Sequence, residues 1–351
     1  MKYGLVLEGG GVRGAFHIGV WKALRKMGVE LCAVAGASIG AINGALIAQG
    51  EYDIAMKLWR QIAAEDIVAL PKEITDDSDI FKIENLPIFL RELYNKNGLD
   101  LSPLEELLNG IIDEDKLRSS GVEFGISLMS LSGRKGMYRF ASEIPKGELV
   151  DYIIASSSIL GAKKIKDETL TDGGLYDNLP VNMLLDKGIN DIIAVTVSGI
   201  GIRRGYDSGG KNIIRISPKE AQTGIMDFDT KGISRAIDAG YIECLRAFGK
   251  VSGDIYAISA EEYHKARSRY SAELISGLEK AADILGVNKS VIYTFDGLRQ
   301  TVTEGYYSAA QKEETPLVKA VKAVGTPVPL KIKTDTDDAA SAIAYFTRGV
   351  R

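Results

Sequence analysis

The chain has 351 residues, 45% of them hydrophobic and 26% charged, with a net charge of −4. That is enough apolar material for a sizeable core in one large domain or two, and a net-negative chain has no bulk attraction for a phosphate backbone, which argues against nucleic acid as a partner. The two cysteines, Cys32 and Cys244, have no Cys or His neighbour at ligand spacing, so neither a disulfide framework nor a zinc site is expected.

After Met1 and Lys2 the chain runs directly into YGLVLEGGG, which is too short and too glycine-rich for the core of a signal peptide. The expected location is therefore cytoplasmic. Residues 3–7 read as a strand and are followed by a glycine cluster. Ala15, Ile18, Gly19, Trp21 and Leu24 then recur at helical spacing, ending at a basic pair and Gly28. Gly9, Gly11 and Gly14 match G-x-G-x-x-G, the dinucleotide fingerprint. Its second half, an acid at the end of the next strand, is missing, because that strand ends in Ala35-Gly36. A P-loop is excluded because Ala15-Phe16 follows Gly14 in place of Lys-Ser/Thr. What remains is a loop whose backbone N–H groups can turn toward an anion, either a phosphate or a transient oxyanion.

Residues 31–35 read as a second strand, followed by GASIG and a long small-residue helix to about Gln49. The uncharged run 31–49 is long enough to span a bilayer, but its Ala, Gly, Ser38 and Asn43 content argues against insertion. Gly36, Gly40 and Gly44 fit a G-x-x-x-G helix contact, and Gly36-x-Ser38-x-Gly40 fits a nucleophile on a strand-to-helix elbow. The plainer reading of Ser38 is a helix N-cap.

Residues 66–120 are polar and irregular, the candidate for a cap or lid. Within them Leu86, Phe89, Leu90, Leu93 and Tyr94 share one helical face, and SPLE from Ser102 reads as a capping box. Further strands are expected at 122–131, 137–141, 192–197 and 213–216. Asp172, in TLTDGGLYDNLPV, carries a carboxylate on a turn at a strand end; an ordinary D-G hairpin is the alternative. The basic clusters at Lys163, Lys164 and Lys166 and at Arg203 and Arg204 read as solvated faces. From about residue 254 the pattern is helical, with little strand signal before PVPLKIK.

A serine nucleophile needs a base, and the chain has only two histidines. His17 sits among apolar neighbours in the first helix and reads as a packing residue. His264 lies in a polar helical stretch and reads as solvated. The order Ser38, Asp172, His264 mimics α/β-hydrolases, while a carboxylate alone can accept and return the serine proton.

GGGVRG, GASIG and DGG, in this order, resemble the patatin-like phospholipase family, and HIGVWKAL, INGAL, IIASSSI and LYDNLPV around them are similar to it as well. The resemblance implies an α/β fold, three-layer α/β/α with a mostly parallel sheet. It implies a catalytic domain over 1–253 and leaves a mainly helical C-terminal region over 254–351. It makes Ser38 the nucleophile and Asp172 the general base. Gly9, Gly10 and Gly11 become the oxyanion loop, with the Ile39 N–H beside it. Arg13 matches a basic residue that either holds this loop in shape or meets an anionic head group. Ile159-Leu160-Gly161 departs from the family pattern and bears on substrate preference. The implied activity is hydrolysis of lipid acyl esters without metal or cofactor; a short-chain esterase or thioesterase, or an anion-binding protein without chemistry, are the alternatives. Transient contact with a membrane surface and a homodimer are open partner states.

Overall fold

The computed structural model describes residues 2–68, 100–158, 161–220, 224–312, 315–324 and 335–347. The apolar face of 86–94, Ile159-Leu160 and the PVPLKIK stretch lie outside the described residues. The chain forms two compact units, Met1–Cys244 and Leu245–Arg351.

The first unit opens with β1 (Lys2–Leu7), α1 (Ala15–Lys26), β2 (Glu30–Gly36), α2 (Ile39–Ala48) and α3 (Tyr52–Gln61). It continues through β3 (Glu123–Ser130), β4 (Lys135–Phe140), β5 (Lys163–Ile165), β6 (Glu168–Thr171), β7 (Asp191–Val195) and β8 (Asn212–Ile216). The strands form one sheet in which β3, β2, β1, β7 and β8 are parallel neighbours, and β4, β5 and β6 are antiparallel additions. The mixed, mostly parallel sheet agrees with the fold class the sequence implies.

Period-two alternation assigns the strand side chains to two layers. Phe124, Ile126 and Leu128 pack with α2 and with the helices Ser102–Ile111 and Leu149–Ser156. Val6, Ala33, Ala35, Ile192 and Ala194 pack on the other side with Val181, Met183 and Leu184 of the helix Val181–Leu185. A sheet buried on both faces is why β1 and β7 read as continuous apolar runs.

The edge of β3 sets the geometry of the site. β4 pairs with Gly125–Ser130 along one edge, so the other edge must hold both remaining partners. β2 pairs there with residues 123–126 and ends at Gly36 opposite Ile126. β6 arrives from the opposite direction and ends at Thr171 opposite Met129. Two strands thus point at each other across a gap of two β3 residues, three strand steps or roughly 10 Å. The turn carrying Ser38 and the turn carrying Asp172 both begin at that gap.

Gly36 and Gly40 are required by close approach. A Cβ on Gly36 would lie 2.2 Å from the Gly40 carbonyl carbon, and one on Gly40 would lie 2.3 Å from the Leu7 carbonyl oxygen. Backbone atoms cannot yield as a side chain can, so Gly40→Ala should destabilise the unit by about 3 kcal/mol in urea unfolding. A change below about 0.5 kcal/mol would mean that β1 and α2 can part without penalty.

Two local expectations are corrected, and one alternative drops out. Ser102 does not cap its helix: it is the first helical residue, and its N–H and hydroxyl both donate to Asp100 Oδ1 at 3.1 and 2.6 Å. A nearer carboxylate has replaced the capping box. Asp172 is not in a hairpin turn but precedes a single 3-10 turn, Gly173–Leu175. The second unit is largely helical, yet it holds a small sheet of β9 (Val251–Ser252), β10 (Ala257–Ser259) and β11 (Ile292–Tyr293). Strands of two or three residues are too short to leave a periodic signal.

Candidate active site

Ser38 occupies φ 53°, ψ −126°, a strained conformation for a residue with a Cβ. Its side chain makes no capping hydrogen bond to α2, so its hydroxyl is not used as an N-cap. The strain is held from behind by a buried relay: the Ser38 N–H donates to Ser156 Oγ at 3.0 Å, and the Ser156 hydroxyl donates to the Ser127 carbonyl of β3 at 2.8 Å. Ile39 opens α2, so its N–H has no acceptor within the helix, and the positive end of the helix dipole lies at this turn.

Asp172 Oδ1 accepts the Gly174 N–H at 2.6 Å. Oδ2 is buried and has no partner at full hydrogen-bonding geometry. Burial raises the carboxyl pKa from 3.8 to about 6, against the opposing pull of the Gly174 N–H and the Ser38 hydroxyl. The Ser38 hydroxyl lies within reach of this carboxylate, and Oδ2 is its unpartnered oxygen.

The glycine loop meets the elbow directly: a Cβ placed on Gly9 would lie 3.2 Å from Ser38 Cβ. The loop's N–H groups are not equivalent. Gly9 donates to the Asn178 carbonyl at 3.1 Å and Val12 to the Ile225 carbonyl at 2.7 Å. Of the three glycines singled out in the sequence, Gly9 has its donor spent on the Asn178 contact, whereas the N–H groups of Gly10 and Gly11 are not engaged in the loop contacts around them. Gly11 has φ 58°, and a Cβ there would fall 2.2 Å from the Ile225 carbonyl oxygen, so only glycine fits. Arg13 Nη1 donates to the Ser198 carbonyl at 2.6 Å, a contact that holds the loop in shape.

Ser38 and Gly11 line a cavity whose other walls are almost wholly apolar, including Ile39, Ile42, Trp59, Leu104, Met226 and Phe228. Trp59 is fixed in orientation by donating Nε1–H to Asn43 Oδ1 at 2.9 Å. Asn43 in turn donates to the Gly14 carbonyl at 2.9 Å and lies 3.2 Å from His17 Nδ1. His17 is fully buried, and desolvation lowers its pKa to about 3, so it stays neutral. It braces this network and supplies no base. His264 is exposed on the helix Ala260–Arg269 of the second unit.

Sequence reading missed several residues that hold these loops. Buried Glu8 accepts the Val197 N–H at 2.6 Å and pairs with Arg203. Asn178 donates to the Gly9 carbonyl at 3.1 Å, and its own N–H takes the Ile202 carbonyl at 2.6 Å. Ser156, Asn178 and Asn43 share one signal: a polar side chain inside a run that is otherwise buried must find a partner.

Among the described residues, no group of three or more His, Cys, Asp or Glu is arranged to hold a metal, and no helix is long and apolar enough to cross a membrane.

The family model for patatin-like phospholipase matches residues 5–185. A patatin-like phospholipase domain-containing protein of Caenorhabditis elegans is 28% identical over 211 residues, 59% of this chain and 14% of that protein. A lysophospholipase of Aspergillus fumigatus is 28% identical over 212 residues, 56% of this chain and 12% of that one. The chain spans less than half the length of these curated relatives. Among solved structures, VipD from Legionella pneumophila superposes with a TM-score of 0.43 at 13% identity, covering 98% of this chain and 88% of that one.

Proposed function

The chain belongs to the patatin-like phospholipase family, and from that premise we propose that it is a serine acyl hydrolase acting on lipid acyl esters, of the phospholipid or lysophospholipid class. One observation carries the reading. A strained serine stands at an apolar cavity with a buried, half-paired carboxylate facing it and two spare backbone N–H groups beside it. An anion-binding protein would need the spare N–H groups but neither the strained hydroxyl nor the apolar walls.

In the proposed cycle, Ser38 Oγ attacks the ester carbonyl as its proton passes to Asp172 Oδ2. The carbonyl oxygen becomes an oxyanion against the N–H groups of Gly10 and Gly11, with that of Ile39 nearby; each such donor is worth about 10²–10³ in rate. Collapse breaks the bond to the leaving alkoxide, which takes the proton from Asp172. Water then repeats the sequence on the acyl-serine, with Asp172 as its base.

Two measurements test this. A fluorophosphonate probe should label the protein as purified, and an ester panel graded by chain length should favour long acyl chains over acetate and butyrate. Absence of labelling sinks the serine chemistry; a preference for the shortest esters would favour the short-chain esterase reading.

The pH profile is a separate expectation. The base must be ionised, so kcat/KM on a soluble ester should be flat above about pH 6 and fall about tenfold per unit below it. His17 is neutral over that range and adds no limb. An acid limb centred near 7 would implicate a histidine in place of Asp172.

A further inference from the structure

In the first unit, the large apolar side chains exposed among the described residues are Leu131 (45% exposed), Leu175 (57%), Ile200 (84%) and Ile202 (56%). They are not scattered. Leu131 follows β3, Leu175 follows Asp172, and Ile200 and Ile202 follow β7, so all lie on the loops that leave the sheet where Ser38 and Asp172 meet.

These loops touch one another. The Ile202 N–H donates to the Gly174 carbonyl at 2.8 Å. The Tyr176 ring lies against Gly136, next to the turn of the β3–β4 hairpin, and the Arg204 guanidinium stacks 4.7 Å from its centroid. The exposed charges on the three segments 131–136, 173–178 and 198–205 are Arg134, Lys135, Arg203 and Arg204, all positive. Their acids, Asp177 and the pairing partner Glu8, are buried. A chain with net charge −4 therefore presents a basic, apolar rim around its candidate active site. Soluble surfaces seldom gather exposed apolar side chains without a use for them.

We propose that this rim is a docking surface for an anionic lipid bilayer. Ile200 and Ile202, with Leu131 and Leu175, enter the acyl boundary, while Arg204, Arg134 and Lys135 meet lipid phosphates. Apolar insertion and attraction to anionic lipid reinforce each other in such contacts. The proposal rests on the lipid-hydrolase reading, because it brings the loops of Ser38 and Asp172 to the substrate.

The test separates the two. Vesicle affinity is measured by flotation with Ser38→Ala protein, so that no lipid is consumed, using phosphatidylcholine alone or mixed with phosphatidylserine. Ile200→Asp should lower affinity about tenfold or more, and Arg204→Glu should reduce the preference for phosphatidylserine vesicles about fivefold. In the otherwise unaltered enzyme, Ile200→Asp should keep hydrolysis of a monomeric nitrophenyl ester within about twofold while vesicle phospholipid hydrolysis falls. Unchanged vesicle affinity in both variants overturns the surface and leaves the hydrolase reading intact. Self-association of the protein abolished by Ile200→Asp, without vesicle binding, would assign the rim to a second copy and also overturn it. If no ester is turned over, the hydrolase reading fails, and the flotation result still decides the rim.

Discussion

Replacing Ser38 with alanine should remove turnover of every ester the protein accepts, by about 10⁴-fold or more, and abolish fluorophosphonate labelling. The size follows from the role: without Oγ there is no acyl-serine, and only binding and the backbone donors remain to speed direct attack by water. The variant should fold, because the Ser38 side chain makes no capping hydrogen bond and the clamp on its N–H comes from Ser156 Oγ. Stopped turnover in a protein with an unchanged melting curve is the expected result. Activity within tenfold of the unaltered protein would move the nucleophile elsewhere.

Asp172→Asn should separate activity from stability in opposite directions. An amide cannot accept the serine proton, so turnover should fall about 10³–10⁴-fold. Stability should rise, and the sign is set by linkage. Burial lifts the folded-state pKa from 3.8 to about 6, so the folded protein holds this proton more tightly than the unfolded chain. The resulting stability is complete below pH 3.8, declines as pH rises, and is lost above about 6. At pH 7.5 the ionised, buried carboxylate therefore costs up to about 3 kcal/mol. Asparagine removes that cost while its carbonyl still accepts the Gly174 N–H. Denaturant melts at pH 7.5 and pH 5 decide the matter: the gain should be largest at pH 7.5 and smaller at pH 5. A variant that is inactive but destabilised equally at both would show that Asp172 acts through packing.

Burial thus opposes the charge of Asp172, the compromise that its proposed role as base calls for. Ser38 shows the same compromise in its backbone. Both are held by hydrogen bonds from their neighbours: Ser156 Oγ accepts the Ser38 N–H behind the elbow, and the Gly174 N–H donates to the Asp172 carboxylate.

Much of this arrangement is legible in the chain itself. The alternation of apolar runs with helical periods specifies a layered α/β fold, because strands buried on both faces must be continuously apolar and the connecting helices must show one apolar stripe. GASIG and the glycine cluster mark close backbone approaches, because only glycine tolerates the contacts found at Gly40 and Gly11. With only two histidines, the chain leaves room for a carboxylate base, and the resemblance to the family singles out Asp172.

Tertiary structure alone decides the rest. That Ser38 and Asp172 face each other depends on β2 and β6 ending head to head along one edge of β3, a register set by pairings such as Gly36 with Ile126 and Met129 with Thr171, between residues far apart in the chain. Which glycine N–H is free depends on Asn178 reaching back 169 residues to the loop. The apolar rim at 131, 175, 200 and 202 is four unremarkable side chains in the sequence, gathered only when three loops close on one another. Local spacing encodes element type and close approach; hydrogen-bond satisfaction and pKa depend on what lies across space, and no periodicity in the chain records that.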